Sequence, residues 1–387
     1  MSEIRDMLVE AASRIFEDHA EAARKQPWPD ALWSELQQAG FDRALIPEDA
    51  GGAGLSWADA CALLSTAGFH AAPVPLAEAM IANQALQRAG LKSDGYVALG
   101  VSIDPAAVRI HKARSGWTLS GTMPRVPWGR SCNQVAVVCA AADGVKFALV
   151  DIKANGVTIG EGFNLAKEPR DTLTFAGVAA ANVLSLPGEH SDLLALAAIT
   201  RSAQIAGAIW RVLEMSVDYA NLRVQFGRPI GKFQVIQQNL AVLATEAVAA
   251  RAAADAGSEA IDAWVAGAEA IGTTVAAASA KIRAGEAAGR SAAIAHQVFG
   301  AMGFTEEHVL HHFTKRLWSW RDEYGNETFW SRRLGERVVV AGARAFWPLV
   351  TESAAPEAEG RMQRLELRRS DDSKGAVTTG ERADAAA

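Results

Sequence analysis

Apolar and polar residues alternate along this chain with two different periods, and the changes of period divide it into three. From the N-terminus to about residue 92 the period is helical: Ile4, Leu8, Ala11, Ala12 and Ile15 share one face. Pro27 and Pro29 end that segment, and Asp30 can cap the next helix, Ala31 to Ala39, stopped by Gly40. Gly51, Gly52 and Gly54 form a turn, after which Ser56 is placed to cap a helix from Trp57 to Gly68. The spacing then drops to two, predicting strands at Tyr96–Val101, Val108–Ala113, Thr118–Met123, Gln134–Ala140, Lys146–Asp151, Val157–Ile159 and Thr172–Val178, with Gly116, Gly121, Gly144, Gly156 and Gly188 between or beside them. From Asp192 the helical period returns, over Asp192–Leu222, Phe233–Ala256, Ile261–Phe299, Glu306–Trp320 and Glu327 to about Val350.

The pattern predicts a multi-domain α+β chain. An N-terminal α-helical domain (1–92) precedes a small β-barrel (93–188), and a C-terminal four-helix bundle (189–350) follows. Residues 351–387 are polar and poor in large apolar side chains, which predicts a disordered tail. The chain has 387 residues and a net charge of −6, so no basic surplus points to nucleic acid. No apolar run reaches the roughly 18 residues that span a bilayer, and the charged, amphipathic N-terminus does not read as a secretory signal. Cys61, Cys132 and Cys139 are widely spaced and lack a C-x-x-C pair, which suits reduced, buried thiols in a cytoplasmic protein.

Chemistry concentrates at Tyr219 to Leu240. Gly227, Pro229 and Gly231 break two helices there and present Arg223, Gln225, Arg228 and Lys232 beside Phe226 and Phe233. Cationic and amide donors beside flat apolar rings suit a phosphate joined to an aromatic ring system. The segment resembles the acyl-CoA dehydrogenase family, whose members carry R-x-Q-F-G-x-P-I-x-x-F-Q-x-x-Q. Arg223, Gln225, Phe226, Gly227, Pro229, Ile230, Phe233, Gln234 and Gln237 match it position by position. The resemblance implies that Arg223, Gln225 and Phe226, with Phe233 and Gln237, reach an FAD held by a neighbouring chain. A second match, to Q-x-x-G-G-x-G-(Y/F)-T-x-E, runs through Gln297, Gly300, Gly303, Phe304, Thr305 and Glu307, with Ala301 replacing the second Gly. In the family this turn holds the adenine and pyrophosphate end of FAD. A helix ending at Gly300, close approach at Gly303 and Thr305 capping the next helix are the expected local structure.

Elsewhere the chain departs from the family. ALGVSIDPAAVRI stands where most members open the barrel with T-E-x-x-x-G-S-D, and PRVPWGR (Pro124 to Arg130) replaces the later W-I-T/S loop. Trp128 can pack on a flavin ring or sit in the core. The family reaction is α,β-dehydrogenation of an acyl-CoA thioester, in which a carboxylate removes the α-proton and flavin accepts the β-hydrogen as hydride. That base needs a carboxyl whose pKa burial raises toward neutrality. An ungapped count from Gly303 puts Tyr324 on the usual catalytic Glu, with Glu323 one residue early; the alternative base position falls on Ala197. Three readings stay open. Glu323 is the base of a self-sufficient homotetrameric dehydrogenase; or the chain is a base-deficient subunit of an α2β2 enzyme; or it is an assembly protein that has lost flavin. The run LHHFTKRLWSWRDEYGNETFWSRRLG resembles the branch that forms heterotetramers on steroid side-chain and other bulky acyl-CoAs. The resemblance implies an acyl-CoA substrate, an electron-transfer flavoprotein as electron acceptor, and a homo- or hetero-oligomer with another such chain, with no membrane or nucleic acid. His308, His311 and His312 share a helical face at a spacing that can bind zinc, but no metal is expected, and GRPIGK (Gly227 to Lys232) is one residue short of a phosphate loop.

Overall fold

Gly68 and Gly207 show how closely the N-terminal helices pack on the C-terminal ones. A Cβ on Gly207 would lie 1.8 Å from the Ser65 carbonyl oxygen, and one on Gly68 2.0 Å from that of Gln204. Only glycine lets two helix backbones meet there. These helices belong to a computed structural model that describes residues 3–91, 95–113, 116–185, 189–268, 275–344 and 348. The predicted tail, 351–387, lies outside the described residues.

Residues 1–336 form one unit. It opens with α1 (Glu3–Ala23), α2 (Asp30–Gln38), α3 (Trp57–Phe69) and α4 (Leu76–Arg88). Ser56 caps α3 as expected, its Oγ accepting from the Asp59 amide at 3.1 Å. Asp30 does not cap α2: Pro29 holds the N-cap position, and Asp30 places its charge in the first turn, where the helix dipole favours it. Asp262, far along the chain, accepts from the amides of Trp57 (2.7 Å) and Ala58 (3.0 Å), tying the start of α3 to the C-terminal helices.

Among the described residues eight strands follow: β1 (Val97–Gly100), β2 (Val108–Ala113), β3 (Gly116–Pro127), β4 (Gln134–Ala141), β5 (Gly144–Asp151), β6 (Val157–Gly160), β7 (Arg170–Ala180) and β8 (Asn182–Ser185). They form one mixed sheet in the order β6-β7-β3-β2-β4-β5-β8, with β1 parallel to β4. All seven expected strands are present. β8 is additional, and its four half-exposed residues are too few to show a period. The long β3–β7 pairing slips between Met123 and Val126, and Arg125 (φ 56°) and Trp128 (φ 46°) both adopt left-handed backbone near that slip.

The bundle consists of α5 (His190–Leu222), α6 (Gln234–Val265), α7 (Val275–Phe299) and α8 (Leu310–Trp320); α9 (Glu327–Ala341) follows. α5 is long and apolar enough to cross a membrane, with a window of mean hydropathy 1.4, but 94% of that window is buried inside the protein. It is the core helix, packed against α3, α6, α7 and α8. The expected break before Ile261 is absent: α6 continues to Val265, and Ile261 is fully buried. Gly257, just past the predicted end at Ala256, is closely packed: a Cβ there would lie 3.0 Å from Ile199 Cγ2 and 3.1 Å from Ala280 Cβ. Gly267, at φ 98°, follows the true helix end. α8 begins at Leu310 rather than Glu306. Thr305 closes the 3-10 turn Gly300–Phe304, its hydroxyl donating to the Met302 carbonyl, and does not cap α8. Of the second unit, 337–387, the described residues are the end of α9 together with 342–344 and 348.

Candidate functional site

Glu323 lies on the turn between α8 and α9, where Tyr324 (φ 59°) and Gly325 (φ 90°) reverse the chain. Gly325 is obligatory, because a Cβ would fall 2.6 Å from the Phe329 ring. Lys281 of α7, wholly buried, braces this turn. Its Nζ donates to the carbonyls of Arg321 (2.6 Å) and Gly325 (2.7 Å). Burial pulls the Lys281 ammonium down to about 7, although Glu327 and Glu323 pull the other way.

The turn directs the Glu323 side chain, itself 9% exposed, into a buried ion network. Arg170, the first residue of β7, donates Nε to Glu323 Oε1 at 2.7 Å and Nη2 to Oε2 at 3.3 Å. Arg201 of α5 lies with Nη2 2.8 Å from Glu323 Oε2. Each arginine has a further carboxylate behind it: Glu168 at 3.0 Å from Arg170, and Glu78 of α4 at 2.5 Å from Arg201. Arg316 and Trp320 of α8 both donate to Glu168, at 2.9 and 3.2 Å. Tyr324 donates its hydroxyl to Glu78 Oε1 at 2.7 Å.

This environment does not give Glu323 the raised pKa that a catalytic base needs. Burial pushes its carboxyl up, but the Arg170 and Arg201 guanidiniums outweigh burial and hold it below its ordinary value. For Glu168 the same contest ends at about 2, burial being overcome by Arg316 and Arg170. Tyr324, on the family's base position, is driven the other way: burial first, then the Glu78 charge, raise its phenol well above the usual value. Ala197, the alternative base position, is buried in α5 and has no ionisable group. A small cleft leads to the network, bordered by Ser102, Ile103, Pro124, Arg125 and Asp322 as well as Glu323 and Tyr324.

Trp128 is buried at 3% exposure, and the Arg170 guanidinium lies over its ring at 5.0 Å. One face of its ring is therefore engaged by the network, and the side chain sits in the core. The Arg223–Gln237 corner has the opposite character. Val224–Gln225 (β9) and Arg228–Pro229 (β10) form a two-stranded ribbon, with Phe226 (φ 52°) and Gly227 (φ 81°) as its tight turn. Arg223, Gln225 and Arg228 are exposed, and Phe226 is 90% exposed. Arg228 lies over the half-buried Phe233 ring at 4.4 Å, and Gln237 Nε2 donates to the Gly231 carbonyl at 3.0 Å. Gln297 and Gly300 are exposed as well, while Gly303 is buried and tightly packed: its Cβ would lie 2.9 Å from Phe299 Cβ. The outward-facing donors and ring at 223–237, and the exposed Gln297 and Gly300 at the end of α7, leave polar and ring surface open that fits a dinucleotide. His308 and His311 are tied into the turn before α8, His308 Nδ1 accepting from the Leu310 amide and His311 Nδ1 bonding the His308 carbonyl.

The sequence reading missed Glu78, Glu168, Arg170, Arg201, Lys281 and Arg316. A signal existed for two of them: Arg201 and Glu78 are single charges in the apolar stretches LLALAAITRSAQIAGAIW and AAPVPLAEAMIA.

Two family descriptions match the chain: "Acyl-CoA dehydrogenase, N-terminal domain" over residues 1–93 and "Acyl-CoA dehydrogenase, C-terminal domain" over 191–322. The chain is 33% identical to acyl-CoA dehydrogenase FadE34 of Mycobacterium tuberculosis over 343 residues, which is 86% of this chain but 45% of that protein. It is 29% identical to acyl-CoA dehydrogenase IpdE2 of Mycolicibacterium smegmatis over 326 residues, covering 82% of this chain and 93% of IpdE2. Among solved structures, a variant of the Tcur3481–Tcur3483 steroid ACAD superposes with a TM-score of 0.79 at 27% identity, covering 88% of this chain and 98% of that one. The ChsE4–ChsE5 complex from Mycobacterium tuberculosis shares the fold at a TM-score of 0.80 and 23% identity, covering 89% and 99%.

Proposed function

The chain belongs to the acyl-CoA dehydrogenase family, and from that premise we propose that it is the base-deficient subunit of a heteromeric, FAD-dependent acyl-CoA dehydrogenase. The observation that carries this reading is the double pairing of Glu323 with Arg170 and Arg201. A carboxylate held ionised by two guanidiniums is a weak proton acceptor, and its lone pairs already accept three charge-assisted contacts. Tyr324 keeps its proton, and its hydroxyl hydrogen-bonds Glu78. Ala197 supplies nothing. On this reading the α-proton of the thioester is taken by a carboxylate of the partner chain.

The chain's own contribution is positioning. Arg223, Gln225 and Phe226 would clasp an FAD seated mainly in the neighbouring chain, with the exposed Gln297 and Gly300 on the dinucleotide end. FAD, when bound, supplies acceptance of the β-hydrogen as hydride. An electron-transfer flavoprotein is the expected electron acceptor. A large partner is favoured by the apolar side chains left exposed along the surface. They include Trp210, Val217 and Leu222 of α5, Val224 and Phe226 of the corner, and Val235 and Val248 of α6. The 45% coverage of FadE34 agrees, since the rest of that protein is long enough for a second chain of this size. Steroid-like or other bulky acyl groups are the favoured substrates, by likeness to the steroid ACAD at 27% identity.

The test is to purify the chain alone and co-expressed with a second acyl-CoA dehydrogenase-like chain, and to record native mass, flavin absorbance and acyl-CoA oxidation. Flavin and turnover that appear only in the mixed assembly are expected. Turnover by the chain alone, abolished by Glu323→Gln with flavin still bound, would overturn the proposal in favour of Glu323 as the base of a self-sufficient enzyme.

A further inference from the structure

Two arginines converge on one carboxylate in this network, and each is held in place without it. Arg170 is fixed by Glu168 and by donating Nη1 to the Pro169 carbonyl at 2.9 Å. Arg201 is fixed by Glu78 and by Gln204. Among the ion-paired members, removing Glu323 would leave Glu78 and Glu168 against Arg170, Arg201 and Arg316, a surplus of one positive charge, with the buried Lys281 side chain bracing the same turn. The place left is thus sized and charged for one carboxylate, with donors on two sides that match a carboxylate's two oxygens. One atom adds to the case: the buried Arg201 Nε, a donor, has no hydrogen-bond partner among the described residues. The Glu323 side chain enters from a turn of left-handed backbone that also borders the cleft beside Ser102 and Arg125. Of the network's carboxylates, Glu323 is the one that borders this cleft, beside Tyr324.

We propose that Arg170 and Arg201 form a carboxylate-receiving site which Glu323 fills from within the chain, and that an external carboxylate occupies it once the Glu323 side chain is removed or withdrawn. The ligand class is a small aliphatic carboxylate, either free or as the far end of an acyl-CoA chain. This rests on the reading of Glu323 as an ion-pair member, and it adds a ligand to that same place.

The experiment is thermal unfolding of the full chain, wild type and Glu323→Ala, in propionate and in its uncharged isostere propionamide. Glu323→Ala is expected to lose about 5–10 °C in Tm. Propionate should restore a saturable part of that loss while propionamide does not. If Glu323→Ala folds only with a carboxylate present, soluble yield becomes the readout. Equal behaviour in propionate and propionamide, or insolubility in both, overturns the proposal. Glutaryl-CoA against pentanoyl-CoA, on both proteins, separates the two sources. Stabilisation by glutaryl-CoA alone assigns the site to an acyl chain ending in a carboxylate, and stabilisation by propionate alone assigns it to a free acid. Neither measurement needs flavin, a partner chain or turnover. A chain that oxidises acyl-CoA unaided would therefore remove the base-deficient reading and leave the propionate result standing.

Discussion

The corner at 223–237 and the network around Glu323 use the same chemistry, guanidinium beside aromatic ring, for opposite ends. At the corner Arg228 lies over Phe233, and the donors of Arg223 and Gln225 face solvent. In the network Arg170 lies over Trp128 and Arg201 over Trp320, and both arginines are 3% exposed and committed to carboxylates. The difference is one of desolvation. An exposed cation adds little to stability and remains free to meet a ligand, whereas a buried one has its charge balanced inside the fold. The family motif survives where the surface remains open to a partner. It has gone where the interior is closed by ions.

The sharpest way to break this contrast is Arg201→Met. It leaves Glu78 and Glu323 short of their shared counter-charge in the interior and is expected to cost about 3–5 kcal/mol. A denaturant midpoint close to wild type would mean that water reaches the network and that the two regions are alike. Glu323→Gln keeps the shape but removes the charge that Arg170 and Arg201 share, for about 2 kcal/mol by the same measurement.

Acid should separate the regions as well. Glu168 and Glu323 have depressed values in the folded state, so their stabilisation is complete above the ordinary glutamate range and is lost as pH falls through it, toward about 2 for Glu168. Lys281 runs in the opposite sense. Its folded value of about 7 lies below the unfolded one, so the unfolded chain binds more protons between those values and stability from this group rises with pH across that window. Melting temperatures from neutral to about pH 9 should show that rise in wild type and lose it in Lys281→Met. The smallest effect on stability, within about 0.5 kcal/mol, belongs to Arg223→Ala and Phe226→Ala at the exposed corner. Both should nevertheless reduce flavin content in the assembled protein, measured by absorbance at equal native mass. Full flavin retention would remove the corner from the cofactor site.

The order helices, strands, helices was legible because each element repeats an apolar residue at its own short period, and neighbouring residues alone set that period. The 223–237 corner was legible for a related reason: Phe226, Gly227 and Pro229 specify a turn within a few residues, and turn chemistry is local. Gly257 shows where local reading ends. The sequence suggests a break, and the structure uses the missing side chain to seat Ile199 against α6. The charge state of Glu323 is set farther away still. Whether Glu323 is a raised acid or a locked anion depends on Arg170, 153 positions before it, and on Arg201 of α5. It depends as well on Glu78, 246 positions before Tyr324. No period or motif links residues so distant. Their charges meet only because α4, α5, β7 and the turn before α9 pack around one buried space, and the low dielectric there makes the pairing strong enough to set the protonation state.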